Sequence, residues 1–337
     1  MKNRPKVVRV DKKIDRDYFK EEYEGLAKVN AEVVLAECAT EEEIIEAIRD
    51  ADAVLTLWAP LTRRVMEASP KLKVIVRYGI GYDSVDVNAA TDNGILVVNF
   101  PVFCLTEVAD HTFALLLACA RKLVYYDKLT RQGHWPEQRE MASLIRPIYG
   151  QTLGLIGCGN IGRTVARKAK CFDLRVLGYD PYADKSLAEE AGITLVSTMS
   201  ELLKNSDYVS VHTFLSKETR HLMGEKEFRQ MKPTAYFINT SRGPVVDEAA
   251  LIKALQEKWI AGAGIDVFEK EPISADNPLM KMDNVVVSPH TAGVSEDSIK
   301  RLKLGVGEEA ARVLSGKWPK NWVNKNVKPK VKLVKGD

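Results

Sequence analysis

The stretch Leu153-Gly-Leu-Ile-Gly-Cys-Gly-Asn-Ile-Gly162 places a glycine-rich turn of the form G-x-G-x-x-G directly after a short apolar run. In such a turn Gly157 makes the tight bend from a strand into a helix, and Gly159 lets the backbone approach a pyrophosphate. Gly162 lets the new helix pack closely against the strand. Because glycine-rich turns are common, the residues around the motif decide its meaning.

Those neighbouring residues supply the context of a dinucleotide-binding unit. Asn160 and Ile161 open a predicted helix, whose N-terminal N–H groups attract phosphate. Arg175–Tyr179 predicts a second strand, and Asp180 stands at its end, 23 residues past the first glycine. A carboxylate there can accept hydrogen bonds from both ribose hydroxyls and repels a 2′-phosphate. Residues 181–184 hold no arginine to receive that phosphate, so the sequence predicts NAD over NADP.

Length and composition favour a globular protein of two domains. The chain has 337 residues, of which 45% are hydrophobic and 28% charged, and its formal net charge is +3. This near balance gives no electrostatic reason to expect nucleic-acid binding. No run approaches the roughly 20 apolar residues of a membrane span, so no membrane association is predicted. The five cysteines are not closely spaced, so we expect no disulfide framework, no metal site and a cytoplasmic location.

Short β-rich runs alternate with helical stretches in both halves of the chain. This order predicts parallel sheets with helices on both faces. The predicted strands are residues 7–10, 32–35, 54–57, 74–76 and 96–99 in the first series, and 175–179, 208–211, 235–239, 261–265 and 285–287 in the series that begins at the glycine turn.

Three further segments have distinct patterns. Residues 106–123 predict a helix that is apolar nearly all round, so it is expected to be buried between domains or against a second subunit. Residues 125–148 are polar and are predicted to be irregular. A long final helix over residues 295–314 is expected to cross back to the first domain.

Arg242, Glu271 and His290 each follow a predicted strand of the second series. In an open α/β sheet, ligands bind just beyond the carboxyl ends of the strands, so we expect these side chains to face one crevice. Hydride transfer to a ketone builds negative charge on oxygen, which a histidine can protonate while a carboxylate orients it and an arginine clamps a nearby carboxylate. Singly, each residue also fits a surface ion pair or a helix cap. The other four histidines, His111, His134, His212 and His221, lack such partners in the sequence and are predicted by default to be structural.

A second glycine turn, Gly79-Ile80-Gly81, follows the predicted strand at residues 74–76. Its backbone N–H groups can cradle an anion such as a substrate carboxylate. The alternative is a tight turn that needs glycine only for a positive φ.

The chain resembles the D-isomer-specific 2-hydroxyacid dehydrogenase family over nearly its whole length. That family includes phosphoglycerate dehydrogenases and glyoxylate/hydroxypyruvate reductases. The resemblance rests on several motifs in the family's order, namely Arg77-Tyr-Gly-Ile-Gly-Tyr-Asp-Ser-Val-Asp86, Glu107-Val-Ala-Asp-His111, the glycine turn, Asn239-Thr-Ser-Arg-Gly-Pro-Val-Val-Asp-Glu248, Gly264-Ile-Asp-Val-Phe-Glu-Lys-Glu-Pro272 and Ser288-Pro-His-Thr291.

This resemblance implies an α/β protein of two doubly wound parallel-sheet domains. One would be a flavodoxin-like substrate-binding domain built from residues 1–101 and 292–337. The other would be a Rossmann NAD-binding domain of residues 102–291. The family is typically dimeric through the NAD-binding domain, so a homodimer is expected.

Roles for individual residues are also implied by the resemblance. Arg242 would bind the carboxylate and carbonyl of the substrate, Glu271 would support the histidine, and His290 would be the acid/base. Asp266 would hold the nicotinamide carboxamide, and the Ile80 and Gly81 amides would meet the substrate carboxylate. The predicted cofactor-binding set is Gly157, Gly159, Asn160, Ile161, Gly162, Asp180, His212, Thr240, Asp266 and Cys104, and the predicted substrate-binding set is Trp58, Tyr78, Ile80, Gly81 and Arg242.

Two residues depart from the family pattern. Phe214 stands where many members carry proline, which leaves the cofactor contacts of that loop open. Trp58 stands in a loop where phosphoglycerate enzymes tend to have basic residues. Because tryptophan cannot neutralise a phosphate, a smaller or more apolar 2-oxo acid is predicted over 3-phosphoglycerate.

The predicted function is NAD-dependent interconversion of a small 2-oxo acid and its D-2-hydroxy acid. One alternative is an NAD(H)-sensing binding module of the C-terminal-binding-protein type, a branch that the chain is similar to in Cys104-Leu-Thr-Glu-Val-Ala-Asp110 and Trp318-Pro-Lys-Asn-Trp-Val-Asn-Lys325. Gly293 stands where those proteins are expected to carry tryptophan, which favours the enzyme. The other alternative is a dehydrogenase of the same fold that acts on another oxyanion, such as phosphite.

Overall fold

The computed structural model describes residues 4–14, 20–135 and 145–335. The chain divides into two compact units. The first combines Met1–Phe103 with Ser295–Asp337, and the second is Cys104–Val294. In the described part of the chain, no helix is both long and apolar enough to cross a membrane.

The first unit contains a five-stranded parallel sheet whose strand order is β2-β1-β3-β4-β5. This is the doubly wound order of flavodoxin-like folds. The strands are β1 (Lys6–Asp11), β2 (Glu32–Glu37), β3 (Ala53–Thr56), β4 (Val74–Arg77) and β5 (Leu96–Val98). The helices are α1 (Lys20–Ala27), α2 (Glu41–Ile48), α3 (Arg63–Glu67), α4 (Val87–Asp92) and, from the far end of the chain, α12 (Glu296–Leu314).

Local chemistry explains where these elements begin and how they pack. All four residues of β3 and all four of β4 are buried, as is expected for central strands covered by helices on both faces. The Thr40 hydroxyl caps α2 by accepting a hydrogen bond from the Glu43 N–H, and the Glu43 carboxylate accepts one from the Thr40 N–H. Helices α1 and α12 cross at Gly25 and Gly307, where a side chain on either glycine would collide with the other helix.

The second unit contains a seven-stranded parallel sheet of Rossmann order, β12-β11-β10-β9-β6-β7-β8. The strands are β6 (Thr152–Ile156), β7 (Arg175–Tyr179), β8 (Thr194–Leu195), β9 (Tyr208–Val211), β10 (Tyr236–Asn239), β11 (Gly262–Ile265) and β12 (Val285–Val287). The helices are α5 (Leu105–Ala120), α6 (Leu123–Arg131), α7 (Asn160–Lys170), α8 (Lys185–Glu190), α9 (Met199–Asn205), α10 (Glu225–Phe228) and α11 (Glu248–Gln256). Two doubly wound parallel sheets confirm the predicted fold class.

The prediction that residues 125–148 are irregular is wrong for their first part. Leu123–Arg131 is a helix, and Lys122 before it has a φ of 51° that separates it from α5. The residues of α6 have ordinary helix propensity, and Arg131 pairs with Asp127 one turn earlier at 2.9 Å. None of its residues is buried, although five of the nine are apolar or aromatic, and the polar residues that follow dominate the composition of residues 125–148. Residues 136–144 of the same segment lie outside the described residues.

Candidate active site

The glycine turn after β6 has the shape that its sequence predicts. Gly157 has a φ of 98°, and a Cβ on it would lie 2.8 Å from the His212 carbonyl. A Cβ on Gly162 would collide with the Gly157 carbonyl oxygen, whereas a Cβ on Gly159 would meet nothing within 4 Å. Helix α7 begins at the exposed Asn160 without a side-chain cap. The turn therefore joins two closely packed glycines to an open helix N-terminus, which fits a pyrophosphate.

Asp180 lies beside this turn, at the end of β7. Its carboxylate accepts the Cys158 N–H at 2.9 Å and the Tyr182 N–H at 2.8 Å. On α7, the Arg163 guanidinium donates to the Cys158 carbonyl at 3.1 Å and to the Asn160 amide oxygen at 2.8 Å. The negative charge is thus held next to the glycines by two backbone amides.

Three strands at the other side of the second sheet carry the predicted acid–base residues. Arg242 follows β10, Glu271 follows β11 and His290 follows β12. These strands are neighbours in the sheet and parallel, so their carboxyl ends share one edge. The edge also carries the glycine turn, which follows β6.

His290 and Glu271 form a direct hydrogen bond, with His290 Nδ1 2.7 Å from Glu271 Oε2. His290 has a φ of 55°, in the left-handed region that a non-glycine residue adopts only when its surroundings hold it. Its own N–H donates to the Asp266 carbonyl at 2.7 Å. Backbone and ring are therefore both fixed, and the bond at Nδ1 directs Nε2 away from the glutamate.

Glu271 is held as a carboxylate. Burial raises the pKa of its carboxyl, but the hydrogen bonds from His290 and from the Phe268 N–H, with the charges of His290 and Arg242, outweigh burial and keep the pKa below its ordinary value. The Phe268 N–H donates to Oε1 at 3.0 Å. An ionised Glu271 can orient the imidazole ring and stabilise its protonated form.

Arg242 is placed by the loop after β10. Its Nη1 donates to the Ser241 carbonyl at 2.8 Å, and its carbonyl accepts from Asn239 Nδ2 at 3.0 Å. Next to it, Gly243 packs so tightly on the Phe268 carbonyl that a side chain there would collide. Close packing between these two loops brings the guanidinium within electrostatic range of Glu271.

Asp266 is fully buried, and its carboxylate anchors the segment that carries His290. Oδ1 accepts the Ser288 hydroxyl at 2.6 Å and the Thr291 N–H at 2.9 Å, and Oδ2 accepts the Ala292 N–H at 2.9 Å. Because Ser288 donates to Asp266, its oxygen accepts from His111 Nε2 at 2.7 Å. Ser288 had no predicted role beyond its motif, and His111 was predicted only to be structural. The predicted contact of Asp266 with the carboxamide stays a prediction.

The remaining predicted cofactor residues lie close to the same edge. Thr112 donates its hydroxyl to a carbonyl in its own helix, so the buried Thr240 hydroxyl donates to Thr112 at 3.0 Å. His212 Nε2 lies 2.9 Å from the Ser210 hydroxyl, and burial lowers the pKa of its ring to about 4, so it is neutral at physiological pH. Cys104 is buried at the start of α5, with Sγ 3.0 Å from where a Cβ on Gly293 would lie.

In the first unit the predicted substrate residues follow β3 and β4. Trp58 is 57% exposed, whereas Tyr78 is 5% exposed and burial raises the pKa of its hydroxyl well above the ordinary value. Gly79 has a φ of 123°, so glycine is required there for conformation. The Ile80 carbonyl accepts from Asn99 Nδ2 at 2.6 Å, a contact that the sequence did not reveal. The binding of an anion by the Ile80 and Gly81 amides stays a prediction.

No group of three or more histidine, cysteine, aspartate or glutamate side chains within residues 4–14, 20–135 and 145–335 is arranged to hold a metal ion.

Comparisons with known proteins identify the family of the chain. The family model for the D-isomer specific 2-hydroxyacid dehydrogenase, NAD binding domain, matches residues 113–292. A glyoxylate reductase of Korarchaeum cryptofilum is 46% identical over 286 residues, which cover 84% of this chain and 86% of that protein. A D-3-phosphoglycerate dehydrogenase of Methanocaldococcus jannaschii is 41% identical over 305 residues, 90% of this chain and 57% of that protein.

Solved structures lead to the same family. An NADPH-dependent glyoxylate/hydroxypyruvate reductase of Sinorhizobium meliloti, in complex with NADP and malonate, superposes with a TM-score of 0.85 at 30% identity, covering 98% of this chain and 100% of that one. The chain belongs to the D-isomer specific 2-hydroxyacid dehydrogenase family and is an NAD(P)-dependent oxidoreductase acting on CH–OH groups, of the glyoxylate/hydroxypyruvate reductase type.

Proposed function

We propose that this enzyme uses NADH to reduce a small 2-oxo acid to the D-2-hydroxy acid, reversibly, with His290, Glu271 and Arg242 as its acid–base and clamping residues. The observation that carries the proposal is the 2.7 Å bond between His290 Nδ1 and Glu271 Oε2, with Arg242 in electrostatic range, at the sheet edge that holds the glycine turn. This arrangement matches the needs of hydride transfer to a carbonyl.

Each side chain has a defined task in this mechanism. Bound NADH supplies the hydride that adds to C2 of the substrate. His290 donates its Nε2 proton to the carbonyl oxygen as that oxygen gains charge, and Glu271 stabilises the imidazolium before the transfer. Arg242 binds the substrate carboxylate through two parallel hydrogen bonds and polarises the adjacent carbonyl. In the reverse direction His290 accepts the proton from the hydroxyl.

For the cofactor we propose NAD over NADP. The Asp180 carboxylate, held by the Cys158 and Tyr182 amides, would accept the ribose hydroxyls and repel a 2′-phosphate. Arg163 is engaged with the Cys158 carbonyl and Asn160. We further propose Gly157, Gly159, Asn160, Ile161 and Gly162 for the pyrophosphate, with His212, Thr240, Cys104 and Asp266 completing the cofactor set.

For the substrate we propose a 2-oxo acid that is smaller or more apolar than 3-phosphoglycerate. Trp58, Tyr78 and the Ile80–Gly81 turn would contact it, which makes the first unit the substrate-binding domain. Arg77 lies 5.8 Å from the Trp58 ring centroid, but its side chain is buried and its Nη1 donates to the Tyr78 carbonyl. A phosphate therefore finds no exposed cation in this loop.

A homodimer through the second unit is also proposed. Helix α6 has no buried residue, and Leu123 and Val124 at its start are 62% and 50% exposed. A cavity of about 270 Å³ lies beside it, lined in part by Cys119, Tyr236 and Val286. Unpartnered apolar surface of this kind favours association with a second copy. Light scattering of the wild type and of Leu123→Glu distinguishes a dimer from a monomer.

A cytoplasmic location is proposed from the five free cysteines.

A substrate panel tests the proposed function. Glyoxylate, hydroxypyruvate, pyruvate, phenylpyruvate and 3-sulfopyruvate are each offered with NADH, and oxidation is followed by absorbance. We expect clear turnover with at least one small member. Tight NADH binding without turnover on any acid would instead favour the NAD(H)-sensing module.

A further inference from the structure

Asp11, the last residue of β1, is a buried carboxylate aimed at the loop that follows β3. It is 2% exposed. Its oxygens accept the Leu57 N–H at 3.1 Å, the Trp58 N–H at 2.7 Å and the Ala59 N–H at 3.2 Å. One side chain therefore fixes three successive backbone amides, which is an unusual concentration of hydrogen bonds on a loop of three residues.

The sequence of β1 explains how this charge is accommodated. Side chains alternate along a strand, so Arg9 and Asp11 project from the same face. Arg9 is also buried, and its Nε lies 3.4 Å from Asp11 Oδ2. Burial raises the pKa of the Asp11 carboxyl, while the three amides and Arg9 oppose that rise. A buried ion pair of this kind adds little net stability in general, so the bonds of Asp11 to the loop are its more specific contribution.

Arg9 also contacts the second predicted substrate segment. The Arg9 guanidinium lies 4.6 Å from the centroid of the Tyr78 ring. Arg77 joins the two segments from the other side, because its Nη1 donates to the Tyr78 carbonyl at 2.6 Å while its guanidinium faces Trp58. Side chains of β1 and β4 therefore connect the loop that carries Trp58 to the segment that begins at Tyr78.

We propose that Asp11 is a positioning residue for substrate binding, which acts by fixing the backbone of residues 57–59 and so the place of Trp58. This inference rests on the proposed function in one respect, namely that Trp58 contacts the 2-oxo acid. Asp11 itself touches neither substrate nor cofactor.

The test compares Asp11→Asn with a matched control, Asp52→Asn. Asp52 lies at the opposite end of the same sheet, where it accepts the Lys6 N–H at 2.8 Å and the Lys73 ammonium at 2.7 Å. The asparagine at position 11 keeps one acceptor oxygen but turns an NH₂ group toward amides that need an acceptor. We expect Asp11→Asn to raise KM for the preferred 2-oxo acid about tenfold, with kcat within about threefold and NADH affinity unchanged. Asp52→Asn should leave KM unchanged.

Hydrogen exchange supplies a second measurement that needs no turnover. In Asp11→Asn the amides of residues 57–59 should exchange faster, while those of β5 stay protected. Unchanged protection of residues 57–59, or an unchanged KM, overturns the proposal. Suppose that the wild type reduces no acid of the panel and that residues 57–59 still exchange faster in Asp11→Asn. The role of Asp11 in the loop would then stand, and only the proposed function would be contradicted. If Asp11→Asn does not fold, Ala59→Pro removes one donor from the loop side, and an unchanged KM in that variant contradicts the proposal equally.

Discussion

His290 Nδ1 lies 2.7 Å from Glu271 Oε2, and the same glutamate accepts the Phe268 N–H through its other oxygen. The Glu271 carboxylate therefore orients the His290 ring, and the Phe268 N–H in turn orients the carboxylate. Since His290 also has a left-handed backbone conformation, its position depends on its partners rather than on local preference.

Glu271→Gln should lower kcat by roughly 10²-fold, because a neutral amide does not stabilise the imidazolium. The pKa of Glu271 is lowered in the folded protein, so the stabilisation by its charge is full above the ordinary value of 4.5 and is lost as pH falls through the lowered value. The difference in unfolding free energy between wild type and Glu271→Gln should shrink as pH falls below 4.5. Denaturant titrations across that range measure it, and a difference independent of pH would contradict the ion pair.

Gly159→Ala should weaken NADH binding, whereas Gly162→Ala should lower the stability of the fold. A methyl group at position 159 meets no protein atom within 4 Å, so this variant should fold normally. It should bind NADH at least about tenfold more weakly, since the methyl group occupies the space proposed for the pyrophosphate. At position 162 the methyl group collides with the Gly157 carbonyl, which should cost roughly 1–3 kcal/mol of stability. Thermal melts and fluorescence titration separate the two, and unweakened NADH binding by Gly159→Ala would refute the pyrophosphate assignment.

Asp180→Ala should reduce the preference for NADH over NADPH by about tenfold or more in kcat/KM, because the repulsion of the 2′-phosphate is removed. The loss of an acceptor for the Cys158 and Tyr182 amides should also weaken NADH binding. Steady-state kinetics with both coenzymes measure the ratio. A wild type that prefers NADPH would contradict the role given to this carboxylate.

Arg242→Lys should lower kcat/KM by roughly 10²-fold, because an ammonium cannot make the planar two-point clamp. Arg220→Lys is the matched control, since Arg220 is an exposed arginine of the same unit that pairs with Glu269 at 3.2 Å. Equal activities of the two variants would remove Arg242 from substrate binding.

The sequence reveals those parts of the fold and the site that depend on local patterns. The glycine turn could be identified because strand, turn and helix follow one another directly, and parallel buried strands such as β6 and β9 appear as short, mainly apolar runs. Helix α6 was missed because it has only nine residues and the polar residues that follow it dominate the composition of residues 125–148. The two residues of β8 are too few to show any period.

Contacts made across long stretches of sequence were also hidden. Asp11 accepts amides 46 to 48 positions away, and Asp266 accepts groups 22 to 26 positions away. Only the folded sheet brings such groups together. One signal was available, since Asp11 and Asn99 are polar residues at the ends of strands in the first unit, as Arg242 and His290 are in the second.

The most direct test of the central claim is the turnover of His290→Ala beside that of His221→Ala. Both histidines bond a glutamate at 2.7 Å, but His221 pairs with Glu269 and has no proposed part in the chemistry. With saturating NADH and the preferred 2-oxo acid, His290→Ala should lose about 10²- to 10⁴-fold in kcat while NADH affinity is retained, and His221→Ala should stay within about threefold of wild type. A His290→Ala enzyme that turns over at the wild-type rate would contradict the account.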